Sequence, residues 1–159
     1  AGGELEELDA FAAKIRVGKG AQQTDDFMII ARLEGLVLGL GVEQVLARAR
    51  ACVAAGADAV MIQPAAEGQA AFDAFCAGYN ALAPRKPLVA AETGGAAMSE
   101  ATFAAAGVNI VVYESHLLRS AYPAMARAAL SILAEGGTAG CAAELSRIDE
   151  MQALIPRAE

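Results

Sequence analysis

Apolar side chains recur at helical spacing over 4–19 (Leu5, Leu8, Phe11, Ala12, Ile15), 42–55 (Val45, Leu46, Ala49, Val53) and 68–80 (Phe72, Phe75, Cys76). That spacing predicts helices with one buried face. Between and after them lie short apolar runs at 27–32, 57–63, 88–91 and 108–113. These are too brief for helices and rich in β-formers, so they predict strands. Ser99 stands where an N-cap belongs for a helix over 100–106, and Gly107 where that helix should stop. A long helix over 117–134 runs up to Gly136-Gly137, and an amphipathic one over 144–155 ends the pattern. The resulting order is a leading helix within 1–20, four strand–helix units over 26–134, and a terminal helix. Alternation of this kind predicts an α/β fold with a parallel sheet.

A weak internal repeat supports the same reading. Residues 52–61 (CVAAGADAVM) parallel 103–112 (FAAAGVNIVV), each an alanine-packed helix, a glycine stop and a strand. No GxGxxG opens a helix after the first strand and no GxxxxGK[ST] occurs, so nucleotide binding lacks its sequence signature. On pattern alone a small flavodoxin-like sheet of four or five strands fits as well as a piece of a barrel.

The stretch 25–35 (DDFMIIARLEG) is the pivot of the chain. It reads as a strand buried on both faces that ends in charge, with Arg32 and Glu34 two residues apart and hence on one side of an extended chain. Carboxyl ends of parallel strands are where ligands bind in α/β proteins, and a planar guanidinium there meets carboxylate or phosphate oxygens in pairs. A surface ion pair is the alternative. The other strands end in Gln63, in Glu92 with Thr93, and in Glu114-Ser115-His116. His116 is the one side chain of this set that titrates near neutrality unaided; it is equally a residue beside a helix N-cap. Glu92 and Glu114 are candidate acidic partners for Arg32, Arg85 or Arg119, because a buried arginine left unpaired is costly.

Composition narrows the classes. With 159 residues, 56% of them hydrophobic, the chain can bury one core. Arg32 and Glu34 interrupt the longest apolar run, so no membrane span is expected. The first residues have neither the basic nor the apolar part of a signal peptide. The cysteines (Cys52, Cys76, Cys141) are widely spaced and odd in number, and with one histidine they form no zinc motif. They fit a reducing, cytoplasmic location as small buried apolar residues. A net charge of −7 and few aromatic residues argue against a nucleic-acid partner.

Three segments in order, 30–35 (IARLEG), 55–62 (AGADAVMI) and 112–120 (VYESHLLRS), resemble the phosphoenolpyruvate mutase/isocitrate lyase superfamily, and within it the phosphoenolpyruvate mutase and phosphonopyruvate hydrolase branch. The resemblance covers nearly the whole chain. It implies a single partial-barrel domain over 1–159, with four βα units matching strands five to eight of a (β/α)8 barrel plus a C-terminal helix. It also implies an enzyme (isomerase, hydrolase or lyase) that acts on a phosphonate or 2-oxo acid through an enolpyruvate-type intermediate, with cleavage or rearrangement of a P–C or C–C bond. Arg32 matches the family arginine that holds the anionic substrate. Gln63 and His116 are the further substrate-binding residues, supported by Glu34, Thr93 and Ser115. Gln63 departs from the family, whose mutases carry histidine there and whose C–C lyases carry glutamate. Ser115-His116 stands where Asn-His is usual.

Mg²⁺ is the cofactor the family implies, but its acidic ligands and the lysine-bearing loop belong to strands without counterpart here. The segment alone is therefore expected to lack a metal site, to carry no catalytic residue of its own and to be inactive. It would be a fragment, or a half that closes with another half. The expected partners are a small anionic substrate and either the missing N-terminal half or further copies exchanging their last helices. A catalytically silent family member or an assembly module is the alternative.

Overall fold

Four short strands, β1 (Ile30–Leu33), β2 (Ala59–Ile62), β3 (Leu88–Glu92) and β4 (Ile110–Tyr113), lie side by side in chain order and all parallel. The computed structural model describes residues 4–66, 68–94 and 98–155. The register pairs Arg32 with Met61, Met61 with Val89, and Glu92 with Tyr113. Helices α1 (Leu8–Gly20), α2 (Val42–Ala54), α3 (Gln69–Asn80) and α4 (Glu100–Ala105) accompany them. The chain divides into two compact units, Ala1–Glu114 and Ser115–Glu159.

Side-chain alternation divides the first unit's sheet into two faces. Ala31, Leu33, Val60, Ile62, Leu88 and Ala90 face the helices and share one core with Val45, Leu46, Phe72, Phe75 and Phe103. Phe72 meets Phe103 edge to face with centroids 5.8 Å apart, and Phe75 stacks on Tyr79 at 5.7 Å. Period two assigns the other face to Ile30, Arg32, Met61, Val89, Ala91, Ile110 and Val112. The expectation of a first strand buried on both faces is therefore corrected. β1 lies at the sheet edge, its helix-facing residues are buried, and Ile30 and Arg32 on the opposite side are exposed. The run also starts later than its apolar character predicts, for Phe27 and Met28 lie outside the strand and exposed.

The leading helix begins at Leu8, so Glu4, Glu6 and Glu7 precede it, and Asp9 is the acidic residue of its first turn. Glu6 is engaged instead by Lys14 at 2.8 Å and, through its backbone carbonyl, by Arg48 at 2.5 Å. The far end of α1 is fastened to the sheet. Lys19 Nζ donates to both oxygens of Asp58 at 2.9 Å, and the Ile29 amide donates to Asp58 Oδ2 at 2.8 Å.

A second clasp closes the amino ends of β3 and β4. Asn109 Oδ1 accepts from the Leu88 amide at 2.9 Å and from Arg85 at 3.1 Å, and Arg85 Nε donates to Asn80 at 2.9 Å. The two glycines of the internal repeat do the same work. Gly56 and Gly107 both follow a helix at positive φ (102° and 83°), turning the chain from helix into strand. Ser99 caps α4 as expected, accepting from the Thr102 amide at 3.2 Å.

The second unit is helical. α5 (His116–Glu135) is followed by a 3₁₀ turn (Ala139–Glu144) packed along it and by α6 (Ile148–Ala153). The terminal helix expected over 144–155 thus divides: its first residue closes the 3₁₀ turn and only the later part is α-helical. Cys141 is buried here and Arg127 approaches Glu144 at 3.6 Å. Among its described residues α5 buries none, and Leu117, Leu118, Tyr122, Leu130 and Leu133 stand exposed.

Candidate functional site

The carboxyl ends of the strands gather a polar cluster on the face away from the helices. Arg32 sits third in β1, where alternation turns it from the Leu33 side to the open side. Its guanidinium is held at every nitrogen. Nε donates to Glu34 Oε1 at 3.0 Å, Nη1 to Glu114 Oε1 at 2.5 Å, and Nη2 to Gln63 Oε1 at 2.9 Å. The amide nitrogen of Gln63 then reaches Thr93 Oγ1 at 3.4 Å, a long hydrogen bond. Residues just beyond all four strands of the first unit are thereby joined.

Glu114 comes from the far edge. In a flat sheet, three strand spacings would separate β1 from β4 by about 14 Å. Arg32 and Glu114 can meet only by reaching over the face that also carries Gln63 and Thr93. The side chains remain accessible to water, at 39% for Arg32 and 31% for Glu114. Beside the cluster, at the sheet edge, a cavity of about 200 Å³ is lined by Arg32, Leu33 and Glu34 together with Phe11 of α1 and Arg48 of α2, and by none of Gln63, Thr93 and Glu114. A larger hollow, about 530 Å³, lies instead between α3 and α4. Its one charged lining side chain is Asp73, so it is a groove of helix packing remote from the strand ends.

Of the expected substrate-binding residues, Arg32 and Gln63 are in direct contact, and the supporting residues Glu34 and Thr93 touch them. Ser115 and His116 open the second unit: Ser115 adopts a left-handed conformation (φ 53°) and His116 is the first residue of α5. Glu114 is the acidic partner of Arg32. Glu92 is not among that cluster's contacts. Its place in β3 sets it on the helix side with Leu88 and Ala90, 4% exposed, where it accepts from the Gly94 amide. Arg85 lies at the opposite ends of the strands, in the clasp with Asn80 and Asn109.

Sequence reasoning missed Arg48, which donates to the Glu6 carbonyl and lies 6.0 Å over the Phe11 ring. A cation in the middle of an otherwise apolar helix face (Val45, Leu46, Ala49) was the available signal. Among the described residues no three His, Cys, Asp or Glu side chains come together in a way that could hold a metal ion. Nor is any described helix long and apolar enough to cross a membrane.

A parallel βα array with an arginine-centred polar cluster at its strand ends defines a class of fold, the parallel α/β proteins to which the (β/α)8 barrels belong. The match to phosphoenolpyruvate phosphomutase over residues 1–133 is specific within it: the chain belongs to that family. It is 33% identical over 149 residues to the phosphonopyruvate hydrolase of Variovorax sp., covering 93% of this chain and 50% of that protein. A phosphoenolpyruvate phosphomutase structure from Streptomyces platensis superposes with a TM-score of 0.83 at 34% identity, over 95% of this chain and 52% of the other. A phosphonopyruvate hydrolase bound to oxalate and Mg²⁺ gives 0.78 at 32% identity, over 95% and 53%. The chain thus spans about half the length of the relatives it matches, and its four βα units are half of a barrel.

Proposed function

We propose that the strand-end cluster binds a small anion, the carboxylate or phosphonate end of a 2-oxo acid or phosphonate, with Arg32 as its cationic anchor. The observation that carries this reading is the Arg32 guanidinium, standing at the end of β1 in contact with Gln63 on the open face and also lining a cavity of about 200 Å³ at the sheet edge. Gln63 is a neutral binding group. Its amide can donate to an oxygen but cannot move a proton at useful pKa. His116, the first residue of α5 in the second unit, is a further substrate-binding candidate on family resemblance. A whole protein containing this chain would break or rearrange a P–C or C–C bond through an enolpyruvate-type intermediate.

The Mg²⁺ present in the related hydrolase complex has no donor set among the described residues here. The share of this chain is accordingly to bind and orient the anion, and no step is derived through the metal. Titration calorimetry with oxalate tests the anchor. Arg32→Lys keeps the charge but loses the planar fork. It should weaken oxalate binding by about tenfold or more, the worth of one charge-assisted hydrogen bond. Unchanged affinity in a variant with an unaltered thermal transition would remove Arg32 from the site.

A second reading, an assembly module, is favoured by the second unit. Its apolar side chains Leu117, Leu118, Leu133, Ile148 and Leu154 are 66–87% exposed, and large apolar side chains left in water in such number point to an interaction surface. On this reading sedimentation equilibrium gives a mass above that of one chain, and Leu118→Glu combined with Leu133→Glu lowers it. A single-chain mass at all concentrations would count against assembly.

A further inference from the structure

We propose that Glu114 is a built-in occupant of the arginine clamp, a carboxylate of the chain itself that a ligand must displace. The proposal rests on the reading of Arg32 as an anion anchor and adds how that anchor is regulated.

The guanidinium recognises carboxylates through a fork of parallel N–H groups. In this structure the terminal pair is already taken, Nη1 by Glu114 Oε1 at 2.5 Å and Nη2 by Gln63 Oε1 at 2.9 Å, while Nε serves Glu34 at 3.0 Å. The three acceptors differ in kind. Glu34 lies two residues further along the chain, just past β1, its position tied to that of Arg32 by the backbone. Gln63 is neutral and is steadied by Thr93. Glu114 alone brings a full negative charge from the opposite sheet edge onto the terminal nitrogens, so it mimics what an incoming carboxylate would do.

Charge makes the contact consequential. One guanidinium facing two carboxylates leaves the cluster at +1 − 2 = −1. A dianion entering that field is repelled unless a carboxylate swings away. With a third of its side chain in water, Glu114 has solvent to receive it when displaced. Glu114 therefore lowers affinity for every anion and favours ligands that can replace it at Nη1.

If Glu114 served only to brace Arg32, its removal would loosen the guanidinium and weaken binding. If it competes, removal strengthens binding. Glu114→Gln keeps the shape and an acceptor while deleting the charge. Oxalate is the probe, titrated calorimetrically with and without Mg²⁺ against the wild-type and variant proteins. Phenylglyoxal modification of Arg32, followed by peptide mass spectrometry, reports guanidinium availability independently of any ligand.

The expected result is oxalate affinity raised by about fivefold or more, the order of one unscreened like-charge repulsion removed, and faster labelling of Arg32. Glu114→Ala should act in the same direction, with circular dichroism confirming an unchanged fold. Unaltered Arg32 labelling overturns the proposal by itself. So does Arg32-dependent oxalate binding that Glu114→Gln leaves equal or weaker, in which case the anchor stands and the competitor falls. Failure of both proteins to bind oxalate overturns the anchor and the competitor together.

Discussion

Asp58 shows how one side chain can organise three elements. Placed just before β2, it accepts from the Ile29 amide that leads into β1 and from Lys19 at the end of α1. Those contacts, the Ile29 amide first and Lys19 second, hold its carboxyl below the ordinary carboxylate range. The sign of the linkage follows. The stabilisation is complete above the unfolded-state value of about 3.9 and is lost as pH falls through the lower folded-state value. Asp58→Asn should therefore cost about 1–2 kcal/mol near neutrality, and the gap from wild type should narrow below about pH 4. Urea unfolding across that range checks this. Parallel pH profiles would mean that Asp58 carries no such linkage. Arg32 illustrates the complementary limit of reading a chain by residue type. Its place at a strand end is visible in the alternation of Ala31, Arg32 and Leu33. Its partner from 82 positions away depends on strand order, which the alternation does not contain.

Among the elements, the helix–glycine–strand repeat is the most predictable and the least forgiving. At Gly107 a methyl group would sit 2.5 Å from Asn80 Nδ2, on a backbone already at φ 83°. Asn80 in turn donates to the Ala106 carbonyl and accepts from Arg85. Gly107→Ala should thus cost about 1–3 kcal/mol through strain and a disturbed clasp. Gly20→Ala, where the new methyl meets nothing within 4 Å, should stay within about 0.5 kcal/mol. Chemical denaturation of the pair tests the contrast, and equal losses would refute the steric account. The repeat was legible because alanine packing, a left-handed stop and a β-rich run are local signals. The boundaries at the chain's acidic start were not. Glu4, Glu6 and Glu7 suit a helix N-terminus by charge, yet Lys14 and Arg48 hold Glu6 outside the helix, and the Arg48 contact is tertiary.

At the scale of the molecule, parallel strands were readable from four βα units in succession, their order came only with the family resemblance, and the division of faces followed from period two. The turn of Glu92 toward the helices was within reach of the same rule. Leu88, Ala90 and Glu92 share parity, so counting from the core would have kept Glu92 out of the rim cluster. The subdivision at Glu114/Ser115 had no local mark, since α5 begins directly after the last strand's polar end. One further property is distributed over both units: each of the three thiols is sealed. Cys52 and Cys76 lie in the first unit at 0% and 1% exposure, their thiols pushed up to about 11 and about 12 by burial, and Cys141 lies in the second at 2%. A disulfide reagent can reach any of them only when its surroundings part. Native-state labelling with a chromogenic disulfide, resolved by peptide, should therefore yield one opening rate shared by Cys52 and Cys76 and a separate one for Cys141. The chain carries its own stopwatches, one set for each folding unit.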